Sequence, residues 1–317
     1  MLDSSWGPMA MARGHWAERA YLSDSCCTLI MVMAEVAQLQ LTGWVALADD
    51  QAVNFCGSQF TAWEPNHLKV LDDGKQLQLV LDEVSGSGLG SMQDFMYGHF
   101  EIQMKVAPGD TAGTVTSFYL SSAPSSTTQE ERDEIDFEFL GNVSGQPYLL
   151  QTNIFTNGSG YKEQRIVPWF DPTEKFHTYS ISWTEQQVLF SVDGIAIRTF
   201  YNNKASGQLY VDRYPMQAFL SIWNGDDWAT LGGLVKINWT AAPFVASYQN
   251  YQVDACVFKG NISACEQSAY SGAAPHASLM SDLGSNLNFV EEHFMVYNYC
   301  HDTQRFESPP PECTLAD

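Results

Sequence analysis

An all-β fold, a sandwich of short strands, is predicted by three features of the 317-residue sequence. Many segments alternate apolar with polar residues, and these segments are rich in aromatic and β-branched side chains. Asp-Gly pairs and other turn residues separate them, and only one stretch near the C-terminus has helical spacing. We therefore expect two packed antiparallel sheets, followed by a short C-terminal extension that contains one helix.

The strand pattern is clearest in four segments, which are residues 68–81, 100–106, 177–183 and 187–200. The first and last are predicted hairpins that turn at Asp73-Gly74 and at Asp193-Gly194. In the second segment, the alternation directs one set of side chains inward. That set is Phe100, Ile102, Met104 and Val106.

The helix is predicted over residues 286–300. Its apolar side chains recur every three or four positions, which places them on one stripe of a helix. The stripe consists of Leu287, Val290, Phe294 and Tyr297.

The cysteines indicate a disulfide-stapled C-terminal extension in an exported protein. Of the seven cysteines, five follow residue 48, and four of those crowd the end of the chain. The four are Cys256, Cys265, Cys300 and Cys313, and spacing alone allows three pairings. There is no Cys-x-x-Cys pair and the histidines are scattered, so we expect no metal site and no cofactor.

Residues 1–48 are interpreted as a secretion signal or N-terminal extension. Residues 26–34 are apolar, and the tripeptide at 46–48 has the small-x-small form of a cleavage site. A disordered extension, a signal anchor and an artefact of the gene model are the alternatives. Glu35 argues against a spanning helix, because a charge at mid-bilayer costs about 2.5–3.5 kcal/mol.

The charge of the chain excludes two classes of partner. The net charge is −22 and the pI is near 4.4, whereas nucleic acid requires a basic face. An anionic membrane surface would repel the chain in the same way. We therefore expect no nucleic-acid partner and no membrane partner, and a neutral polysaccharide is compatible with this charge.

Three carboxylates at alternate positions are the most informative feature of the sequence. Glu134, Asp136 and Glu138 lie in the run RDEIDFEFLGN (132–142), and the residues between them are apolar. In a strand these acids share one face, and crowding raises their pKa values. Glycoside hydrolysis needs such a set, because one carboxyl must donate a proton while another is ionised. The alternative is a solvated strand face of an acidic protein.

Several separated motifs resemble glycoside hydrolase family 16, and in particular the plant xyloglucan endotransglucosylase/hydrolases. The resemblance covers about residues 55–313. Its motifs are YGHFEIQMKV (97–106), DTAGTVTSFYLSS (110–122), DEIDFEFLGN (133–142), QTNIF (151–155), EQRIVPWFDPTEKFHTYSISW (163–183), WNGDDWAT (223–230), APFVASY (242–248) and PPEC (310–313). It implies a concanavalin-like jelly roll, with a catalytic domain at 49–250 and a C-terminal extension at 251–317.

The same resemblance implies a retaining mechanism. Glu134 is expected to be the nucleophile, Glu138 the general acid and base, and Asp136 a residue that tunes Glu134. Eight further residues are expected to bind substrate: Tyr119, Gln151, Asn153, Arg165, Trp223, Trp228, Tyr297 and Arg305. Judged by residue type alone, a tryptophan is usually core, an amide is usually ordinary surface, and Arg165 could simply pair with Glu163.

The resemblance also selects among the open alternatives for the cysteines and sequons. It implies two disulfides, Cys256–Cys265 and Cys300–Cys313. Cys56 is then expected to be unpaired and buried. Sequons at Asn142, Asn157, Asn238 and Asn261 fit a secreted protein, and Asn142 is the expected glycosylation site. The implied setting is the cell wall and apoplast, where the protein acts as a monomer on xyloglucan donor and acceptor chains.

Transfer of the glucan chain is expected to dominate over hydrolysis. Between QTNIF and EQR the sequence lacks the inserted loop of the mainly hydrolytic members. Hydrolysis of xyloglucan or of a mixed-linkage glucan is the alternative, and a catalytically silent wall-binding protein is the rival of a different class.

Three departures from the family pattern lie near the site. Arg132 stands where His is common, and a fixed cation there is expected to lower neighbouring carboxylate pKa values. Leu231 stands where Arg is expected. The segment 121–132 is longer than usual and is interpreted as a flap at the donor end of the cleft.

Overall fold

Two antiparallel β-sheets contain the sixteen strands found in the described part of the chain. The structure, a computed structural model, describes residues 52–57, 59–122, 131–268 and 283–313, together with the backbone of Ala20–Tyr21. In chain order the strands are β1 (Ala20–Tyr21), β2 (Phe60–Trp63), β3 (Leu68–Leu71), β4 (Gln76–Leu81), β5 (Ser87–Ser91), β6 (Phe95–Lys105), β7 (Thr114–Ser121), β8 (Glu134–Leu140), β9 (Leu149–Phe155), β10 (Gln164–Ile166), β11 (His177–Trp183), β12 (Gln187–Val192), β13 (Ile195–Tyr201), β14 (Gln217–Asn224), β15 (Phe244–Val257) and β16 (Met295–Asn298).

Helical structure is limited to short pieces. The α-helices of the described residues are α1 (Ile262–Glu266) and α2 (Leu283–His293), and neither is long and apolar enough to cross a membrane. Single 3-10 turns lie at Pro65–His67, Asp72–Gly74, Lys204–Ser206, Leu231–Gly233, Trp239–Ala241, Tyr299–His301 and Pro311–Cys313.

The two sheets pack face to face, which confirms the predicted all-β jelly-roll sandwich. The nine-stranded sheet has the order β1-β2-β5-β14-β7-β8-β9-β10-β16, and the seven-stranded sheet has the order β13-β12-β11-β6-β15-β4-β3. Strand β8 lies well inside the larger sheet, between β7 and β9. Both edges of β8 are therefore hydrogen-bonded, and its side chains are held in fixed positions.

Aromatic side chains from both sheets fill the space between them. Phe137, at the middle of β8, is fully buried, and its ring centroid lies 5.1 Å from that of Phe190 and 5.8 Å from that of Tyr179. Phe118 of β7 stacks on it from within the same sheet, at 6.5 Å. Because alternate residues of a strand face opposite ways, this packing directs the residues on either side of Phe137 to the outer face of the sheet.

Both predicted hairpins are confirmed. Strand β3 pairs with β4, and β12 pairs with β13. The central residues of each turn have positive φ angles, which are 53° at Asp73, 90° at Gly74, 50° at Asp193 and 78° at Gly194. Asp193-Gly194 is a two-residue loop between Val192 and Ile195, and such a pair suits the mirror-image turns that match the twist of antiparallel strands. Asp73-Gly74 lies in a four-residue loop between Leu71 and Gln76. The predicted inward side chains of residues 100–106, which lie in β6 and directly after it, are also confirmed, because each is at most 2% exposed.

The helix predicted over residues 286–300 is only partly correct. Helix α2 ends at His293, and the chain then extends into β16, which pairs with β10. Val290 of the predicted stripe is fully buried, whereas Tyr297 lies opposite Arg165 in the sheet. The prediction is wrong beyond His293 because a sheet edge supplies the hydrogen bonds there, and local spacing carries no information about that edge.

Both predicted disulfides of the extension are confirmed. The Cα atoms are 5.7 Å apart in Cys256–Cys265 and 5.5 Å apart in Cys300–Cys313. The prediction that Cys56 is unpaired is wrong, because it is disulfide-bonded to a partner outside the described residues. Its burial is confirmed at 3% exposure. The expectation considered only cysteines after residue 48, and so left Cys56 without a candidate partner.

Three expectations about chain organisation stay predictions. The segment 1–48, apart from the backbone of Ala20–Tyr21, lies outside the described residues, as does the part of the predicted flap at 123–130. Strand β15 runs continuously through position 250, where the sequence placed the start of the C-terminal extension.

Replacing Phe137 by alanine should lower the free energy of unfolding by about 3–5 kcal/mol, because loss of a buried ring leaves a cavity. Urea unfolding followed by tryptophan fluorescence measures this change. Phe289→Ala is the matched control, since Phe289 is 50% exposed and its loss should cost less than about 1 kcal/mol. Similar losses in the two variants would contradict the assignment of Phe137 to the core.

Candidate active site

Strand β8 brings the three predicted carboxylates together on the outer face of the larger sheet. Glu134, Asp136 and Glu138 are 3%, 5% and 7% exposed, respectively. The alternative of a solvated strand face is therefore excluded. Ionised carboxyls at this depth are costly unless they are paired, so the groups that surround each of them decide its protonation state.

Side chains of the neighbouring strands line up with these acids. In an antiparallel sheet, directly opposite residues point to the same face. Tyr119 of β7 and Asn153 of β9 lie opposite Asp136. Asn153 is 1% exposed, and within the described structure its amide nitrogen Nδ2 has no hydrogen-bond partner. Asn153 thus presents an unused donor on the face that carries the acids.

A relay of side chains connects Glu138 to the C-terminal extension. The Nε2 group of Gln151 donates to Glu138 Oε2 at 2.7 Å, and the Nε group of Arg165 donates to Gln151 Oε1 at 2.7 Å. The guanidinium of Arg165 lies over the ring of Tyr297 at 5.0 Å. Gln151 is fully buried, so it is not the ordinary surface amide that residue type alone suggested.

Glu163, which residue type alone suggested as a partner of Arg165, pairs with Arg305 instead. The Nη1 group of Arg305 donates to Glu163 Oε2 at 2.6 Å, and its guanidinium lies 5.8 Å from the ring centroid of Tyr297. The hydroxyl of Tyr297 in turn donates to Asp302 Oδ2 at 2.8 Å. The structure therefore groups the three predicted binding residues Arg165, Tyr297 and Arg305 at one end of the acid row.

Arg132 is the charged partner of Glu134. Its Nη2 atom lies 3.2 Å from Glu134 Oε1, and the two side chains are 6% and 5% exposed. Its guanidinium lies 4.3 Å from the ring centroid of Phe155. The other oxygen of the carboxyl, Glu134 Oε2, is buried and has no hydrogen-bond partner within the described structure.

Burial raises the pKa of all three carboxyls, but their surroundings set them apart. It raises the pKa of Glu138 to about 7, although the hydrogen bond from Gln151 acts in the opposite direction. It raises the pKa of Asp136 well above its usual range, and the charges of both glutamates add to the rise. Burial also raises the pKa of Glu134, but Arg132 opposes that rise. Glu134 is therefore suited to be ionised, whereas Glu138 keeps a proton up to about neutral pH.

The two predicted tryptophans form an aromatic pair beside Glu138. The ring centroids of Trp223 and Trp228 are 6.0 Å apart, and both rings are half-buried against Val115 and Leu140. The indole nitrogen of Trp223 lies 3.4 Å from the Ser117 hydroxyl, and Ser117 is directly opposite Glu138. Neither tryptophan is part of the core between the sheets, so both are placed to contact a ligand on the outer face.

A second aromatic row was missed by the sequence analysis. Phe219 of β14 stacks on Tyr119 at 5.0 Å between ring centroids, and Trp63 of β2 lies 6.4 Å beyond it. A Cβ atom at Gly88 would lie 1.8 Å from the Trp63 ring, and one at Gly90 would lie 2.6 Å from Phe219. The alternating glycines at 86, 88 and 90 were the available signal, since they leave one face of a strand open for rings to cover.

Two family models match the chain over the segments that build this site. The model described as Glycosyl hydrolases family 16 matches residues 57–241, which is more than half of the chain. The chain belongs to glycosyl hydrolase family 16. A further model, described as Xyloglucan endo-transglycosylase (XET) C-terminus, matches residues 270–313 and so includes α2, β16 and Arg305.

Relatives of this family 16 chain match it along most of its length. Probable xyloglucan endotransglucosylase/hydrolase protein 5 from Arabidopsis thaliana is 43% identical over 296 residues, which are 92% of this chain and 97% of the relative. Xyloglucan endotransglucosylase protein 34 from Populus tremula x Populus tremuloides is 44% identical over 270 residues, which are 84% of this chain and 90% of the relative. The crystal structure of a native glycosidic hydrolase has a TM-score of 0.52 at 24% identity, over 64% of this chain and 94% of that chain. That structural likeness supports the fold alone.

Replacing Glu138 by glutamine should stabilise the family 16 enzyme at alkaline pH. The folded chain binds the Glu138 proton more tightly than the unfolded chain does, so ionisation of this group opposes folding. The penalty is absent below about pH 4.5, grows as pH rises, and is complete above about pH 7. Melting temperatures of Glu138→Gln and wild type should therefore differ by several degrees more at pH 8 than at pH 4.5.

The control for that comparison is Glu292→Gln, because the Glu292 side chain is 79% exposed. A difference between Glu138→Gln and wild type that does not change with pH would show that Glu138 lacks the raised pKa.

Proposed function

We propose that the enzyme cleaves the β-1,4-glucan backbone of xyloglucan with retention and transfers the released chain to a xyloglucan acceptor. The observation that carries the proposal is the pair of buried glutamates on β8 in opposite electrostatic settings. Glu134 lies against a cation, whereas Glu138 has a pKa of about 7. The names and high coverage of the relatives support xyloglucan as the substrate, and the family resemblance implies the plant cell wall as the setting.

In the first step Glu134 attacks the anomeric carbon and forms a covalent glycosyl-enzyme. Glu138 gives its proton to the glycosidic oxygen of the departing chain. In the second step the ionised Glu138 takes the proton of an incoming hydroxyl, which attacks the same carbon and releases the Glu134 carboxylate. Each step inverts the configuration at the anomeric carbon, so the two steps together retain it.

Asp136 limits the total negative charge of the three carboxyls on β8. It lies between the two glutamates, and its pKa is raised well above the usual range by burial and by their charges. A protonated Asp136 leaves one negative charge on the strand when Glu134 is ionised and Glu138 is protonated. That charge is the one Arg132 neutralises.

The outer face has surfaces for glucan on both sides of the acids. Tyr119 and Trp63 offer stacking faces on the donor side, and the buried Phe219 packs against both of them. Trp63 lies four strands from β8, roughly 19 Å away at normal strand spacing. On the acceptor side Trp228 supplies a stacking face, and Arg165 supplies guanidinium donors. These aromatic faces suit the C–H faces of sugars, while the unused amide donor of Asn153 suits a sugar hydroxyl. Gln151 acts here through its hydrogen bonds to Glu138 and Arg165.

The proposal includes secretion to the cell wall and apoplast, and action as a monomer. It divides the chain into a signal or extension at 1–48, a catalytic domain at 49–250 and a C-terminal extension at 251–317. The disulfides of the extension and the sequon at Asn142, in the loop after β8, support export.

Incubation with xyloglucan and a fluorescent xyloglucan oligosaccharide tests the reaction. We expect label to enter polymer without a matching rise in reducing ends, and Glu134→Ala should lower the rate by several orders of magnitude. Glu292→Ala on α2 is the control and should leave the rate unchanged. Reducing ends that form regardless of the oligosaccharide would identify a hydrolase, and glucan binding without turnover would identify a silent wall-binding protein.

Replacing Trp228 by alanine should raise the KM for the oligosaccharide acceptor by roughly three- to ten-fold, because one stacking contact is lost. The KM for donor xyloglucan should change little. Initial rates of label incorporation at varied acceptor concentration measure the effect. Tyr201→Ala is the control, since Tyr201 is 41% exposed on β13 of the other sheet. A larger effect on the donor KM would move Trp228 to the donor side.

A further inference from the structure

We infer that Arg132 is a positioning residue for the nucleophile, which selects the attacking oxygen of Glu134 and stabilises the carboxylate when it leaves in the second step. The inference rests on the proposed role of Glu134. It concerns a side chain that touches Glu134 and lies two residues before it in the chain.

The contact engages one oxygen of the carboxyl and leaves the other available. The distance between Arg132 Nη2 and Glu134 Oε1 is 3.2 Å, and both side chains are nearly excluded from solvent. The Ser121 side chain, directly opposite on β7, also hydrogen-bonds to this carboxyl, whereas Glu134 Oε2 has no hydrogen-bond partner among the described residues. A carboxylate held in this way offers the unengaged oxygen to an electrophile, so Oε2 is assigned as the oxygen that bonds to the sugar.

The guanidinium is held in place from the other side. It stacks on the ring of Phe155, which lies opposite Glu134 on β9. A Cβ atom at Gly160 would lie 2.6 Å from that ring, so glycine is what allows Phe155 its position. The carbonyl oxygen of Arg132 also accepts a hydrogen bond from the Gly158 amide at 2.6 Å. These contacts leave Arg132 little freedom to turn away from the nucleophile.

Other charged groups near Glu134 do not take the place of Arg132. Asp133 accepts hydrogen bonds from the amides of Asn157 and Arg213, and Arg198 donates to Thr152. The titratable or charged groups that interact with Glu134 are Arg132 before β8, Asp136 and Glu138 on β8, and Tyr119 on β7. Within the described structure, the ion pair of Glu134 is made with Arg132.

A cation at this place acts in opposite directions on the two steps. When Glu134 bonds to the anomeric carbon it loses its negative charge, so part of the attraction to Arg132 is lost. When the incoming hydroxyl attacks, the bond from the carbon to Glu134 breaks and both electrons return to the carboxylate. The proton of that hydroxyl goes to Glu138. Arg132 therefore favours breakdown of the glycosyl-enzyme and keeps Glu134 ionised at lower pH.

Three variants at position 132 separate charge from packing. Arg132→Gln removes the charge, Arg132→Lys keeps it, and Arg132→His carries it only below about pH 6.5. The first readout is the pH dependence of kcat/KM for labelled transfer. The second is the fraction of glycosyl-enzyme found by intact mass spectrometry after an acid quench. Arg213→Gln is the matched control, because Arg213 is exposed and belongs to a neighbouring loop.

For Arg132→Gln we expect kcat to fall on the order of ten- to hundred-fold, as glycosyl-enzyme accumulates. The acid limb of the kcat/KM profile should move upward by about one pH unit. Arg132→Lys should restore most of both properties. Arg132→His should accumulate glycosyl-enzyme only above about pH 6.5, and it carries the test if Arg132→Gln does not fold.

The inference is overturned if the variants lose activity without accumulating glycosyl-enzyme and with an unchanged acid limb. That result, together with an inactive Glu134→Ala, would leave the proposed function intact and reduce Arg132 to a packing role. An active Glu134→Ala would instead refute the proposed function itself.

Discussion

The burial of three carboxyls along one strand is the constraint on which this site depends. A buried carboxylate is stable only beside a donor or a cation, and the larger sheet supplies different partners to its two glutamates. Glu134 forms an ion pair with the guanidinium of Arg132, whereas Glu138 accepts a hydrogen bond from the amide of Gln151. Burial raises the pKa of both groups, but Arg132 opposes that rise at Glu134 and the hydrogen bond from Gln151 opposes it at Glu138, so the two glutamates have different electrostatic settings.

The C-terminal extension is coupled to this chemistry through the sheet itself. Strand β16 pairs with β10, and β10 pairs with β9, so the extension continues the sheet that carries the acids. Through Tyr297, Arg165 and Gln151, contacts run from the extension to the carboxyl of Glu138. Arg165 thus contacts the same amide that donates a hydrogen bond to Glu138.

Local patterns were sufficient for much of the fold and for the acid row. Asp193-Gly194 predicted a hairpin correctly because the positive φ angles of a tight turn are a local requirement. The acids of β8 were correctly placed on one face because strand alternation is local too. The helix predicted over residues 286–300 was wrong in its second half, because pairing with the distant strand β10 outweighed the helical spacing of the apolar residues. The prediction that Cys56 is unpaired was wrong because only cysteines after residue 48 were considered as its partner. Trp63 was missed because its neighbours Gly88 and Phe219 are remote in the sequence.

The sequence by itself determined the strand periodicity, the turns and the identity of the three acids, because each depends on short-range spacing. Spacing alone left the pairing of the four C-terminal cysteines open, and the family resemblance selected it. Only the tertiary structure decided the electrostatic setting of each acid. The pKa of each carboxyl depends on burial and on groups such as Arg132 and Gln151, whose distances to the acids are set by packing. Arg132 is two positions from Glu134, but its direction is fixed by Phe155 on another strand. Electrostatic interactions act through space, and the folded sheet sets those distances.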